Sequence, residues 1–207
     1  MAIGNVLMIF VKYPEPGKVK TRLAGTLGKE AAARLYRRMA GDIIHRLKGC
    51  GQYETVIFFD PPERASDVRD WLGDDQCYIQ QSGGDLGERL SNAFRTVFNS
   101  GAGRAVVVGT DCPDVTQDIV TRALQHLREK DVVIGPAEDG GYYLLGLSSH
   151  APGTFDSIDW STGRVFQQTT EKIKQQGLSF VTLEPLKDLD EFSDISPAHL
   201  HLLKQRT

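Results

Sequence analysis

The sequence predicts an α/β fold, an open three-layer sandwich around a mostly parallel, mixed sheet. Short apolar runs alternate with helical stretches along the chain, as in parallel strands joined by right-handed helical crossovers. The Val- and Ile-rich runs at 105–108 and 132–134 show no polar alternation, which is typical of strands buried on both faces. The run at 142–147 follows the Asp-Gly-Gly at 139–141 too closely for a helical crossover, so we expect it to be antiparallel.

The individual elements follow from the same local patterns. Strands are predicted at 6–11, 55–59, 78–80, 105–108, 132–134, 142–147 and 180–183. Helices are predicted at 29–48, 63–72, 88–99, 116–129, 164–176 and 196–205. The first helix has an apolar stripe that includes Leu35, Met39 and Ile43, and we interpret the arginines on its other side as a solvated face.

Composition limits the classes of function. A chain of 207 residues suits one domain, which we place at residues 1–207. With 40% hydrophobic and 25% charged residues and a net charge of −3, nothing indicates nucleic acid or a membrane surface as a partner. The first apolar run is too short for a signal peptide and no stretch is long enough for a membrane span, so we expect a cytoplasmic protein.

Charge is spread unevenly along the chain. Residues 1–50 hold ten Lys or Arg against three Asp or Glu. This asymmetry suits an anion bound near the N-terminus and a cation bound later, or else it reflects the arginine face of the first helix. The cysteines form no CxxC pair and the histidines do not cluster, so neither a disulfide framework nor a zinc site is expected.

The segment Lys-Tyr-Pro-Glu-Pro-Gly-Lys-Val-Lys-Thr-Arg-Leu at 12–23 follows the first predicted strand directly. Its prolines stiffen the backbone, and its glycine permits a tight turn or a close approach to a ligand. Cations at the carboxyl end of the first strand of an α/β chain lie where a polyphosphate is expected, although a solubilising basic loop is the alternative. The candidate phosphate-binding residues here are Lys12, Gly17, Lys20, Thr21 and Arg22.

A second glycine-rich segment, Gly-Gly-Asp-Leu-Gly-Glu-Arg at 83–89, precedes a predicted helix. Its glycines and the helix N-terminus could contact a base or a phosphate through backbone N–H groups. The signal is weak because the segment matches neither a dinucleotide-binding fingerprint nor a P-loop. Gly84, Asp85 and Gly87 are the candidates.

Asp111 follows the buried run at 105–108 within Gly-Thr-Asp-Cys-Pro-Asp. A carboxylate at the exit of a buried strand is a natural ligand for a hard metal, and Mg²⁺ needs only one or two carboxylates when substrate phosphates complete its shell. The alternative is that the aspartates cap a turn before the helix at 116. We favour metal binding for Asp111 and leave both readings open for Asp114.

Carboxylates also follow the predicted strand at 132–134. Glu138 and Asp139, in Pro-Ala-Glu-Asp-Gly-Gly-Tyr-Tyr, could orient a substrate hydroxyl or act as a general base. A type I′ turn opening a hairpin is the structural reading, and both can hold at once.

Two further segments are ambiguous from spacing. Asp188-Leu189-Asp190 could return a second carboxylate to the metal or could cap a helix. Trp160-Ser161-Thr162 could wall an acceptor pocket, and Trp160 as a core residue is the equal alternative.

These motifs together resemble a bacterial family of GT-A-like nucleotide-diphospho-sugar transferase proteins, a domain family of unknown function. Its members share K-x-P-x-P-G-x-x-K-T-R-L, G-D-L-G-E-R, D-C-P and P-A-E-D-G-G-Y-Y-L-[IL]-G-L in this order, and the likeness runs from about Val6 to Ile195. The Lys-Thr-Arg-Leu segment is also distantly similar to that of phospholactate guanylyltransferases.

The resemblance implies a Rossmann-like GT-A fold that uses Mg²⁺ or Mn²⁺. The aspartate that binds metal after the central strand of such proteins maps onto Asp111, and a second one maps onto Asp190. The block around Asp190 lacks the usual Thr-Pro. The opening loop keeps only Thr21-Arg22 of the L-x-x-G-x-G-T-R pattern of sugar nucleotidyltransferases.

We therefore expect a metal-dependent transferase with a nucleotide-diphospho-sugar donor and a small-molecule acceptor. One alternative is a guanylyltransferase-like enzyme that uses a nucleoside triphosphate and a small phosphorylated acceptor. A second is a nucleotide-binding module without catalysis.

Overall fold

The computed structural model describes residues 4–48 and 51–203, which form one sheet with helices packed against it. The strands are β1 Asn5–Lys12, β2 Glu54–Asp60, β3 Cys77–Gln80, β4 Arg104–Val108, β5 Val132–Pro136, β6 Tyr142–Leu147 and β7 Phe180–Thr182. The α-helices are α1 Thr21–Leu27, α2 Lys29–Leu47, α3 Ala65–Leu72, α4 Leu86–Asn99, α5 Gln117–His126 and α6 Val165–Gln175. Short 3₁₀ helices lie at Pro62–Arg64, Pro152–Phe155, Phe192–Asp194 and Pro197–Leu203.

The strand order is β3-β2-β1-β4-β6-β5-β7. Strand β6 is antiparallel to β4 and β5, and the other neighbouring pairs are parallel, which confirms the mixed sheet. The chain moves outward from β1 to β3 and then returns to place β4 on the other side of β1. Ligands of open α/β sheets bind at such a reversal, beyond the carboxyl ends of the strands.

Two apolar layers lie on opposite faces of the sheet. Alternation along β1 sends Leu7 and Ile9 toward the layer that contains α2 and α5, and Met8 toward the layer that contains α4 and α6. The Val and Ile residues of β4 and β5 are buried on both faces, as their unbroken apolar runs predict. The three-layer α/β sandwich is therefore confirmed.

The helix prediction needs three corrections. The sequence predicts no helix between Lys20 and residue 29, but Thr21–Leu27 forms the short helix α1. Its sequence lacks a clear apolar stripe, which is the pattern on which helix prediction depends. The stretch predicted as an α-helix at 196–205 is 3₁₀ over Pro197–Leu203. The arginine side of α2 is only partly a solvated face, because Arg38 is half-buried and donates to the carbonyl of Leu202 at 3.0 Å, whereas Arg34 and Arg37 are exposed.

Three predictions extend outside the described residues: the ends of the domain at 1–207, the end of the helix at 196–205, and Cys50 among the cysteines. Within the described ranges, no helix has both the length and the apolar character needed to cross a membrane.

Candidate functional site

A cleft of about 530 Å³ contains the residues that follow several different strands. Lys20 ends the loop after β1 and Arg22 lies on the first turn of α1, while Asp111 follows β4 and Asp139 follows β5. The late segment with Asp188 and Asp190 completes this part of the wall. The sheet thus gathers the predicted loops at the carboxyl ends of its parallel strands.

Lys20 joins two carboxylates. Its Nζ lies 2.7 Å from Oδ1 of Asp111 and 2.9 Å from Oδ1 of Asp190. The Lys20 side chain is only 2% exposed, whereas those of Asp111 and Asp190 are 54% and 37% exposed. Burial disfavours the ammonium, but the two carboxylates outweigh that cost and raise the pKa of Lys20 above its ordinary value. Lys20 is therefore a fixed positive charge at the base of the site.

A backbone hydrogen bond explains why the late aspartates lie there. The N–H of Leu189 donates to the carbonyl of Asp111 at 2.9 Å, and the Leu189 side chain is 1% exposed in the core. The carboxylates on either side of this leucine are thereby held beside Asp111. Asp190 is not the N-cap of the following 3₁₀ helix, because that position is held by Glu191. Asp190 pairs with the same lysine as Asp111, and its role as the second metal ligand stays a prediction.

Asp188 is a functional candidate that the site prediction left out. Its Oδ1 is buried, and within residues 4–48 and 51–203 it has no hydrogen-bond partner. Burial, together with the negative charges of Asp111 and Asp139, raises the pKa of Asp188 to about 7. The Asp-Leu-Asp pattern around a core leucine was the available signal, because it suggests that both flanking carboxylates face the same site.

The carboxylates fit a hard cation only in part. Their oxygens are the ligands that Mg²⁺ and Mn²⁺ prefer, and among the described residues the buried Oδ1 of Asp188 has no hydrogen-bond partner. In the described part of the chain, however, no three or more His, Cys, Asp or Glu side chains are spaced to hold a metal unaided. A cation here would take one or two carboxylates and would need oxygen atoms from a ligand.

The other predicted phosphate contacts divide into two groups. Thr21 and Arg22 lie on the first turn of α1 and line the cleft, and Nη1 of Arg22 is 3.7 Å from Oδ2 of Asp190. Gly17 instead lies in the turn before α1, where its φ of 80° is a left-handed conformation that glycine adopts readily. Lys18 pairs with Glu15 at 3.2 Å on the exposed side of that turn.

A narrower compartment of about 260 Å³ adjoins the cleft and shares Leu86, Asp111 and Tyr142 with it. Lys12, the last residue of β1, lines this compartment together with apolar side chains such as Phe10 and others from β4 and α4. Its walls suit a flat, mostly apolar group, and its opening leads to the charged cleft.

Two hydrogen bonds fix the floor of the narrower compartment. The Tyr36 hydroxyl on α2 bonds with Oγ1 of Thr110 at 2.8 Å. The same hydroxyl accepts the N–H of Lys12 at 3.1 Å. These contacts join the carboxyl ends of β1 and β4 through one helix, so they fix the position from which Asp111 projects.

The glycine-rich segment at 83–89 caps α4. Oδ1 of Asp85 accepts the N–H of Glu88 at 2.8 Å, and the Glu88 carboxylate accepts the N–H of Gly84 at 2.7 Å. A Cβ on Gly87 would lie 2.6 Å from Nε1 of Trp160, so that glycine allows close packing. In the described structure, Leu86 lines the cleft, whereas Gly84, Asp85 and Gly87 do not. Their role in nucleotide binding stays a prediction.

Of the two carboxylates predicted to be catalytic, Asp139 lines the described cleft and Glu138 does not. Asp139 lines the cleft, and its Oδ1 accepts the N–H of Gly141 at 2.8 Å. Glu138 is exposed and, among the described residues, is not part of the cleft wall. The turn between β5 and β6 opens a hairpin and presents Asp139, but it is not the predicted type I′ turn. The N–H of Gly140 donates to the carbonyl of Ala137, and neither central residue of that turn has the positive φ that type I′ requires. A base at this turn is therefore better placed at Asp139 than at Glu138.

Asp114 and Cys112 have structural roles. The N-cap of α5 is Thr116, whose side chain accepts the N–H of Ile119 at 3.3 Å, so neither aspartate is the N-cap of that helix, and the capping of the preceding turn stays a prediction. Asp114 instead pairs with Nε2 of His199 at 3.1 Å. Burial raises the pKa of the Cys112 thiol to about 12, which suits a core residue rather than a nucleophile.

Comparison with known proteins assigns the fold and a family. A family model described as "Uncharacterized protein conserved in bacteria (DUF2064)" matches residues 43–162. A solved protein from Desulfovibrio desulfuricans G20, provisionally named a nucleotide-diphospho-sugar transferase, is 36% identical with a TM-score of 0.89. The match covers 98% of this chain and 94% of that one.

Two more distant proteins are similar as well. A phosphoenolpyruvate guanylyltransferase from Chloroflexus aggregans is 30% identical over 147 residues, which are 66% of this chain and 69% of the relative. A nucleotidyl transferase from Methanothermobacter is 16% identical with a TM-score of 0.64, and the match covers 97% of this chain and 98% of that one. The last likeness shows a shared fold.

Proposed function

The chain belongs to the bacterial DUF2064 family and is a nucleotidyltransferase-like transferase, and from that premise we propose that it transfers a sugar from a nucleotide-diphospho-sugar donor to a small hydroxyl-bearing acceptor, assisted by Mg²⁺ or Mn²⁺. The observation that carries this proposal is the buried Lys20 ammonium between Asp111 and Asp190, beside the exposed guanidinium of Arg22. Fixed charges of both signs at one strand-end cleft suit a phosphate donor and a cation together.

The donor would span the two compartments. Its base and ribose would enter the narrower compartment, whose apolar walls suit a flat ring. Its diphosphate would lie at the junction, within reach of Arg22 and of Lys12 at the end of β1. The loop after β1 has prolines at 14 and 16 and hence fewer backbone donors, so side-chain cations would make most of the phosphate contacts.

Asp111 and Asp190 would hold the divalent cation, and oxygen atoms of the donor diphosphate would complete its shell. When bound, the cation neutralises charge that develops on the diphosphate leaving group. Lys20 keeps Asp111 and Asp190 at a fixed separation before the cation arrives, so less reorganisation is needed on binding.

Asp139 would be the proton acceptor in the transfer. Its Oδ1 is already held by the N–H of Gly141, which orients the carboxylate. The acceptor hydroxyl gives its proton to Asp139, and its oxygen forms a bond to the anomeric carbon of the donor sugar. The bond from that carbon to the diphosphate oxygen breaks, and its electron pair leaves with the nucleoside diphosphate.

Nucleotidyl transfer is the second candidate, because the Chloroflexus aggregans relative is a phosphoenolpyruvate guanylyltransferase. In that reaction an acceptor phosphate would attack the α-phosphorus of a nucleoside triphosphate and release pyrophosphate. The same cations and carboxylates could serve it, so the products distinguish the two candidates.

The deciding experiment supplies the protein with Mn²⁺ and with each donor class in turn. Nucleotide sugars and nucleoside triphosphates are each offered with a panel of sugars, polyols and small phosphorylated acids. The proposal predicts release of nucleoside diphosphate from nucleotide sugars, and loss of that release in Asp139→Asn. Pyrophosphate release from a triphosphate would support the second candidate instead. No turnover of any donor would contradict both.

A further inference from the structure

One part of the cleft wall is not used by the donor. It consists of Asp139 and residues 160–163, and we call it the acceptor wall. The two loops that form it are locked together, since a Cβ on Gly140 would collide with the backbone carbonyl of Gly163. In addition, the N–H of Phe166 donates to the carbonyl of Gly140 at 2.8 Å. The carboxylate of Asp139 and the neighbouring loop therefore form one rigid surface.

Trp160 gives this surface an aromatic patch. Its ring lies edge-on to Tyr142, with ring centres 6.5 Å apart and planes at 81°. The absence of a side chain at Gly87 lets Nε1 of Trp160 approach the start of α4. The indole is half-buried and lines the cleft, so contacts behind it fix its orientation while part of it stays open to a ligand.

The hydroxyls of the wall differ in availability. The Thr162 hydroxyl donates to the carbonyl of Asp159 at 2.7 Å and also accepts the N–H of Arg164, so it stabilises the turn. Ser161 is exposed in the cleft wall and has a φ of 62°, a left-handed conformation that the turn around it supports. Ser161 is therefore the hydroxyl presented to a ligand.

The charge of this region opposes an anionic acceptor. The basic residue that follows the wall in sequence, Arg164, is paired with Asp159, with Nη2 2.8 Å from Oδ2. Across the whole cleft, four carboxylates face the cations Lys20 and Arg22. Lys20 is already shared by two of those carboxylates. A phosphorylated acceptor on the wall would bring negative charge close to Asp139 without a free cation beside it.

We propose that the acceptor wall binds an uncharged ring compound rich in hydroxyls, a sugar or a cyclic polyol, and discriminates against its phosphorylated counterpart. The C–H face of such a ring packs on the indole of Trp160, while its hydroxyls bond with Ser161 and Asp139. This inference rests on the proposed function, because it assigns the acceptor whose proton Asp139 receives.

The test uses tryptophan fluorescence, since the chain has two tryptophans. Trp71 lies against Arg37 and Tyr13, outside the cleft, so Trp71→Phe leaves Trp160 as the reporter. Trp160→Phe is the matched control. Neutral monosaccharides and cyclitols, each paired with its phosphorylated form, are titrated in the presence of Mg²⁺ and without donor.

The expected result is a saturable change with neutral ligands in Trp71→Phe and none in Trp160→Phe. Phosphorylated partners should bind at least about tenfold more weakly, because like charges repel on the wall. Asp139→Asn in the Trp71→Phe background should reduce that discrimination, since it removes the repelling charge.

Equal or tighter binding of the phosphorylated forms would overturn the inference, and so would the absence of any saturable change with neutral ligands. The comparison within Trp71→Phe does not depend on the folding of Trp160→Phe. Because the readout needs no donor, its failure is distinct from failure of the proposed function, which is measured as release of nucleoside diphosphate.

Discussion

Lys20 has an unusual environment for a surface enzyme site, since its ammonium is buried while its two carboxylate partners remain partly exposed. Lysine is strongly hydrated, and its burial is costly unless charges of opposite sign compensate. The compensation comes from Asp111 and Asp190, which in turn would repel each other without the lysine. Lys20 therefore organises the candidate site before any ligand binds.

Replacing Lys20 by methionine should lower the free energy of unfolding by about 1–3 kcal/mol, because two neighbouring carboxylates lose their shared partner. Mn²⁺ should stabilise this variant more than the wild type, since a cation can replace the lost charge. Urea unfolding with and without Mn²⁺ measures both effects. Lys18→Met is the control, as Lys18 is exposed and pairs with Glu15 on the surface. A Lys20→Met protein as stable as the wild type would contradict this role.

Arg22 tests the phosphate assignment. Arg22→Ala should weaken binding of a nucleotide sugar by about 1.5–3 kcal/mol, the range for a charge-assisted hydrogen bond. Stability should hardly change, because the side chain is exposed. Arg34→Ala, an exposed arginine on α2, provides the matched control. Equal affinities of the two variants, measured by calorimetry, would remove Arg22 from the phosphate site.

At the scale of elements, the glycine-rich motif at 83–89 can be explained by its role at the N-terminus of α4, where Asp85 is the N-cap. The Asp85 carboxylate accepts the N–H of Glu88 in the first turn, and the Glu88 carboxylate accepts the N–H of Gly84 just before the helix. The same motif also resembles a nucleotide-binding segment. Local hydrogen bonds explain Asp85 without a ligand. Sequence spacing alone could not decide this, because a capping pattern and a phosphate-binding turn use the same residue types.

Asp85→Ala should therefore cost about 1 kcal/mol of stability through loss of the cap. Donor affinity should stay within about twofold of the wild type, since the carboxylate does not line the cleft described above. Thermal unfolding and calorimetric titration on the same sample separate the two effects. A large loss of affinity with unchanged stability would restore Asp85 as a binding residue.

The contact between the loops around Gly140 and Gly163 gives a second test at this scale. Gly140→Ala combines a φ of 89° with a collision against the Gly163 carbonyl. Gly101→Ala is a matched control, as its φ is 95° and its Cβ would meet no atom within 4 Å. The free energy of unfolding of Gly140→Ala should be lower than that of Gly101→Ala by about 1–3 kcal/mol, the cost of overpacking. Equal losses in urea unfolding would show that the loops are not locked together.

Prediction from the sequence succeeded where local pattern decides structure. The unbroken Val and Ile runs identified β4 and β5, and the short connection after Asp139 identified β6 as antiparallel. It failed at α1, because Thr21–Leu27 is short and has a single fully buried side chain, Leu23. A helix of that length carries too little periodicity to be recognised.

For the whole molecule, the candidate site depends on contacts between distant parts of the sequence. Asp111 could be predicted from its position after a buried strand. The burial of Asp188 could not, because it depends on the N–H of Leu189 meeting the carbonyl of Asp111. The pairing of Lys20 with both Asp111 and Asp190 likewise requires the folded sheet, which brings three loops to one edge.

The central claim is that Asp111, with Lys20 and Asp190 beside it, forms a site where a cation and the donor diphosphate bind together. The most direct measurement is calorimetric titration of a nucleotide sugar into the wild type and into Asp111→Asn, each with and without Mn²⁺. Asparagine keeps the shape of the side chain and removes its charge, so the unfolding midpoint should change little. The account predicts that Mn²⁺ strengthens donor binding to the wild type and has no such effect on Asp111→Asn. An equal Mn²⁺ effect in both proteins would contradict it.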